Sequence, residues 1–373
     1  MSDRRVRVAL VGGPMYDHLY DQLDPAEVDV VVHADHPTLN RAVAERLAAG
    51  ERLDLIATHS KYAPSQARWL RDLAPLLDDE VIAPLARGAV DLCRHEGRLL
   101  SLPRLIDVRV LWVRADRLPE APATWEDLLS GQIRFGFPGS GSGLFGTFFE
   151  LVVGAGGALF DAEGRPTMDG SHATEAVATL CRLATPAPDD LPTWQYDEVD
   201  AALLDGRIDA AGAWPGAWGA IRSSGLADRL EPHPYPAGPA RWVSYAGCHS
   251  WAIPTTCGDL EGARELLVRL AGRDAHALDA AGGSLCAHRG ALAEVVPDGP
   301  VDERRLAITR RTIDEAMITY PPLVEFPAIE EAGWQAINAA LRGEATPTEA
   351  VARIQDVAAC VVGLGPRPRG DQP

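Results

Sequence analysis

The chain contains a single lysine. Lys61 is the exception among 35 basic residues, so the other 34 are arginines. Positive charge is scarce as a whole: 53 acidic side chains leave a formal charge of -18, and no local basic patch offsets it. Such a charge repels phosphate backbones and anionic lipid, so neither nucleic-acid nor membrane partners are expected. Long apolar runs are missing too, and the most apolar stretches have only strand or core-helix length, which excludes insertion as a membrane-spanning helix. The six cysteines lie far apart without CxxC or finger spacing, and the ten histidines form no HxH or HExxH. No metal and no cofactor are therefore expected, and the thiols read as free, mostly buried groups of a reducing compartment. A GxSxG nucleophile elbow and internal repeats are likewise lacking. Arg4 and Arg5 lead straight into RVRVALVGG, with no apolar leader between. As written, the chain is expected in the cytoplasm; with a leader removed, it would be periplasmic or extracellular.

What is present is an alternation of strands and helices over 373 residues, a length that suits two α/β lobes. Val6 to Val11, Val28 to Val32 and Leu53 to Ala57 read as strands. Between the last two, Leu39, Val43 and Leu47 recur at helical spacing, opened by Pro37 and closed by Gly50. This pattern predicts parallel βαβ units whose three strand-end loops converge on one edge. A further helix is predicted over 79–95, and TWED at Thr124 to Asp127 is a capping box that opens another. Extended stretches at RLLSLPRLIDVRVLWVRADRL and RWVSYAGCHSWAIP read as two crossings between lobes. After the second, helices dominate, and GPRPRGDQP reads as a disordered tail over 364–373.

In order, DLIATHSKYAPSQARWLRDLAPL, IDVRVLWVRADRLPEAPATWEDLL, ALLDGRIDAAGAWPGAW, VSYAGCHSWAIP and TYPPLVEFPAIEEAGWQAI resemble the extracellular solute-binding proteins of ABC transporters, family 1. The resemblance implies a type II periplasmic-binding-protein fold, with two α/β lobes closing over a ligand by hinge bending. On that pattern lobe one comprises 5–108 with 252–305, and lobe two 109–251 with 306–363. A small-molecule ligand is implied as partner, with an ABC permease as a second partner if the chain is exported.

The candidate ligand residues follow from loops and crossings. In lobe one, Gly12 and Gly13 with Tyr16 and Asp17 form the first strand-end turn, where glycine admits backbone N–H groups to a ligand or simply makes a tight turn. His59, Ser60, Lys61 and Tyr62 break an apolar strand with four hydrogen-bonding groups, at the end where open sheets bind ligands. Asp107 and Arg109 alternate with Ile106, Val108 and Val110, which puts both charges on one strand face as a hinge ion pair or as a ligand grip. Gly141, Gly143 and Gly146 spell GxGxxG with Asp161 downstream, but no second parallel strand precedes Asp161. The segment reads instead as a helix N-terminus offering Ser140, Ser142 and backbone N–H groups. Trp214 and Tyr245 are placed to stack on a sugar face, and Tyr320 joins them from the late landmark. Cys248 and His249 are adjacent and so face opposite ways if their strand continues.

Two functions compete at this level. The first is reversible binding of a sugar, sugar acid or related carboxylate in the interlobe cleft. The second is a cytoplasmic enzyme on the same fold, with Lys61, His59 and Cys248 as catalytic groups near Asp107 and Arg109. A metabolite sensor or scaffold is the third reading.

Overall fold

The computed structural model describes residues 5–13 and 15–364; the expected tail from 365 onward lies outside the described residues. Two separate apolar cores define two lobes. One gathers Val8, Leu10, Leu55, Ile56, Leu266 and Trp251, and the other Trp112, Phe135, Phe145, Phe148, Trp194 and Ile337. A chain of this length divides its core in this way because one core of that size is uncommon.

Lobe one is built on a five-stranded sheet in the order Val28–Ala34, Val6–Val11, Leu55–His59, Gly247–Ala252, Leu102–Asp107. The first three strands run parallel, as the βαβ pattern predicted, so their carboxyl ends open on one edge. Gly247–Ala252 inserts antiparallel between Leu55–His59 and Leu102–Asp107. Lobe two carries a four-stranded sheet in the order Leu230–Pro234, Val110–Arg114, Ala210–Ala213, Phe135–Gly136. A two-stranded ribbon, Ser244–Tyr245 with Met317–Ile318, lies beside the crossing.

The chain passes between lobes at Val108–Arg109, at Ala246 and again after the Arg289–Ala293 helix. These positions correct the sequence boundaries. Strand 247–252 takes its hydrogen bonds from the first sheet, so the return to lobe one comes before that strand and not at 252. Helix Gly299–Glu315 packs on Leu230–Pro234 and so belongs to lobe two from its start.

Local signals worked where they were self-contained. Thr124 Oγ1 accepts from the Asp127 N–H while the Asp127 carboxylate accepts from the Thr124 N–H, the reciprocal cap expected of TWED. Helix His36–Ala48 buries Leu39, Val43 and Leu47. The single helix predicted over 79–95 is instead Asp79–Ile82, Arg87–Leu92 and a hairpin at Arg94–His95 and Arg98–Leu99. Pro84 lies between the two short helices; it has no N–H to continue the ladder.

Candidate ligand cleft

The carboxyl edge of the first sheet brings histidines together from elements far apart in sequence. His59 ends its strand, His249 lies opposite it in register, and His36 begins the helix after the second strand. Ring centroids are 4.6 Å apart for His36 and His249, 4.9 Å for His59 and His249, and 5.5 Å for His36 and His59. The backbone makes room for this by omitting a side chain: a Cβ on Gly247 would lie 2.0 Å from His59 Cε1. The His249 Nε2 contacts Asp107 Oδ2, and its Nδ1 lies 2.7 Å from His36 Nε2. The two nitrogens of the His249 ring thus bridge the Asp107 carboxyl group and the His36 ring. The Tyr16 hydroxyl reaches the same His249 nitrogen at 3.3 Å. Burial, then the neighbouring His249 and Lys61, push His36 and His59 well below the usual histidine range, so both stay neutral. Among the described residues, Asp107 Oδ1 is buried without a partner.

The facing surface of lobe two is aromatic over a buried ion pair. Arg109 donates to Glu150 Oε2 at 2.9 Å and to Thr147 Oγ1 at 2.7 Å, while Glu150 Oε1 accepts from the Tyr245 N–H at 2.8 Å. Burial pushes the Glu150 carboxyl up to about 7, against the pull of Arg109. The Arg109 guanidinium sits 4.9 Å from the ring centre of Trp214, and Trp214 meets Tyr245 edge-on at 6.0 Å. Tyr245 and Tyr320 lie 4.5 Å apart, and each has a buried hydroxyl with no partner among the described residues.

The lobes touch through Lys61. Its ammonium lies 2.6 Å from Glu330 Oε1, and the Tyr62 hydroxyl donates to Glu330 Oε2 at 2.6 Å. Glu330 belongs to the Phe326–Leu341 helix of lobe two, so both bonds span the cleft. Nearby, Met15 of lobe one lies against Gly216 of lobe two, where a Cβ would come within 2.5 Å of Met15 Cγ.

Several expected roles change with this geometry. Lys61 is engaged by a protein carboxylate rather than held open for a ligand anion, because Glu330 reaches it across the cleft. Asp107 and Arg109 share neither a face nor an ion pair, since the strand ends at Asp107 and Arg109 enters the other lobe. The Cys248 sulfur points into the lobe-one core, 3.8 Å from the Cys93 sulfur, and burial raises its thiol well above the usual range. The sulfur donates to the His249 backbone carbonyl at 3.4 Å, and its hydrogen-bond partners among the described residues are that carbonyl and Cys93 rather than an imidazole. Ser60 is occupied by the strand: its N–H donates to the Cys248 carbonyl and its hydroxyl accepts from the Cys248 N–H. Gly13, at φ +135, forms the turn with its N–H on Asp17 Oδ1, and Asp17 also meets the exposed His33 at the rim. Ser140 donates to the Trp194 carbonyl, and Ser142 lies 3.5 Å from the Tyr196 hydroxyl.

His36 and Glu330 were not singled out from sequence. His36 had a usable signal, because HADHP is the third of the converging strand-end loops. Glu330 had none; its partner is 269 residues away.

Residues 24–277 match the family model of the bacterial extracellular solute-binding proteins. A probable amino-acid ABC transporter periplasmic-binding protein of Sinorhizobium fredii is 25% identical over 325 residues, 77% of this chain and 73% of the relative. Among solved structures, maltose-bound MalE3 of T. maritima matches with a TM-score of 0.85 at 20% identity, covering 95% of this chain and 99% of the other. A solute-binding protein from Agrobacterium radiobacter K84 in complex with ribitol also scores 0.85, at 16% identity over 96% and 98%. One from Thermotoga lettingae bound with α-D-tagatose scores 0.82, at 18% identity over 96% and 100%. These likenesses carry the two-lobed fold, and the family model spans well over half the chain. The chain thus belongs to the bacterial extracellular solute-binding proteins, which bind a small polar ligand in the cleft between their lobes.

Proposed function

We propose that the ligand is a neutral polyhydroxylated molecule, a sugar or a polyol, held between the histidine edge of lobe one and the aromatic surface of lobe two. The observation that carries this reading is the state of the polar groups. Among the described residues, Asp107 Oδ1 and the hydroxyls of Tyr245 and Tyr320 are buried and unpartnered, a costly condition that ligand hydroxyls relieve. The cations around them are already committed: Lys61 to Glu330, Arg109 to Glu150, and Arg104 to Asp279. A carboxylate ligand would meet no free cation among the described residues lining the cleft, and the neutral His36 and His59 offer hydrogen bonds without charge. Trp214 and Tyr245 add apolar faces of the kind that stack on sugar rings.

On this reading Tyr16, His36, His59, His249 and Asp107 read the hydroxyls, while Trp214, Tyr245 and Tyr320 supply the platform. Gly13, Asp17 and Ser60 shape the lobe-one edge, and Ser140 and Ser142 lie outside the contact set. Ligand contacts made from both lobes exist only in the closed form, so binding stabilises that form over any open one. An ABC permease is the partner to which the closed form delivers its load.

The bound ligand of two solved relatives in the fold supports a hydroxyl-rich solute, maltose in one and ribitol in another. The Sinorhizobium fredii relative is named for amino acids, and that difference sets the test. Thermal shift and calorimetry are run with maltose, ribitol and tagatose against a panel of amino acids and sugar acids. A neutral polyol at about 100 times its Kd should add roughly 2.7 kcal/mol of stability. Stabilisation by amino acids or sugar acids alone would overturn the assignment.

A further inference from the structure

Lys61, the chain's only lysine, is left without a ligand role by the cleft described above, and its surroundings give it a different one. Lys61 and Glu330 are 8% and 4% exposed, respectively, and meet only across the gap between lobes. Each carboxylate oxygen of Glu330 takes one donor, Lys61 Nζ and the Tyr62 hydroxyl, both from a single loop of lobe one. That loop is itself fixed, since the Lys61 N–H donates to His59 Nδ1 at 3.2 Å and the Tyr62 N–H to the His59 carbonyl at 2.8 Å.

Parting the lobes would return both charges to water. Closing them exchanges that hydration for one mutual contact, an exchange of small net free energy for a well-made pair. The balance changes sharply when one partner is lost, because closure then buries the other charge uncompensated. A pair of this kind contributes little holding force but admits only the lobe arrangement in which its members meet.

We propose that Lys61, Tyr62 and Glu330 form a closure gate: positioning residues that set the hinge equilibrium of the ligand-free protein, and through it the affinity for every ligand. The gate rests on the cleft reading only for its effect on affinity; its effect on lobe closure stands without it. Arginine in the other 34 basic positions fits this assignment, since a compact ammonium meets one carboxylate oxygen where a planar fork would compete with Tyr62 for the second.

The test compares wild type, Glu330→Gln, Lys61→Met and the triple variant Lys61→Met/Tyr62→Phe/Glu330→Leu. Small-angle X-ray scattering on ligand-free protein reads closure directly, and the thermal midpoint and far-UV circular dichroism report whether each variant folds. Wild type should scatter as the closed form. Each single variant should shift to a larger radius of gyration and maximum dimension, and the apolar triple variant should return to the wild-type curve. In calorimetry with ribitol and maltose, single variants should lose about 100-fold or more in affinity, by the same factor for each sugar, and the triple variant should recover most of it. Wild-type scattering from both single variants overturns the gate, and so does a triple variant as open as the single ones. Should wild type bind neither sugar, the ligand assignment fails while the scattering still decides the gate.

Discussion

The two faces of the cleft are built from different materials. On lobe one, polar side chains stand at the ends of sheet strands: His59 and His249 face each other in register, with His36 and Tyr16 reaching in from neighbouring loops. On lobe two the sheet stays back, and aromatic rings from helix, ribbon and loop form a layer over the Arg109–Glu150 pair. A strand end holds a side chain by backbone ladders on both sides, so it suits directional hydrogen bonding. An aromatic layer has no ladder and takes its rigidity from packing, with a buried charge pair as its fixed point. On the proposed reading the pairing of the two is a division of labour: one lobe reads hydroxyl positions and the other supplies contact area.

The comparison is broken most severely beneath lobe two. Glu150→Ala strands the Arg109 guanidinium in a dry site and should cost about 3–5 kcal/mol of stability, measured by chemical denaturation. On lobe one, Asp107→Asn keeps the shape but removes the charge that orients His249. Affinity for the bound polyol should fall by about 1.5–3 kcal/mol in calorimetry, with little change in the thermal midpoint. Trp214→Ala tests the platform, and a loss of about 1 kcal/mol in affinity is expected, smaller than at Asp107 because the ring is only half-buried.

Acid separates the faces by charge. His36 and His59 have folded-state pKa values below their unfolded value, so under acid conditions the unfolded chain binds more protons. Their contribution is present above the ordinary histidine pKa of about 6.5 and is lost as pH falls below it. Thermal midpoints followed from pH 8 to pH 5 should therefore decline at the acid end, and His36→Asn with His59→Asn should flatten the decline. The smallest effect belongs to Ser140→Ala. Its hydroxyl is already engaged by the Trp194 carbonyl, and stability and affinity should each change by less than about 0.5 kcal/mol.

Local patterns carried much of the architecture. The apolar spacing of Leu39, Val43 and Leu47 and the cap at Thr124 depend on residues within a turn or two, and both formed as read. The strand read over Leu53 to Ala57 instead runs Leu55–His59, so Thr58 and His59 still pair with the neighbouring strand and the break comes two residues later than read. Readings failed where a short-range pattern met a long-range event. Alternation through Asp107 and Arg109 assumed a continuing strand, yet the chain leaves the first sheet between them. The uninterrupted helix over 79–95 overlooked Pro84, which the sequence itself displays.

The sequence by itself determined the α/β alternation, the two-lobed division and the loop on which Lys61 stands, because propensity, periodicity and chain length act over short distances or on the chain as a whole. Which groups meet across the cleft was decided by tertiary structure alone. Lys61 finds Glu330, His36 finds His249, and Cys248 turns toward Cys93 only after the sheets have set their order. Charge pairing and burial act through space, and no spacing along the chain encodes a neighbour brought in by another lobe.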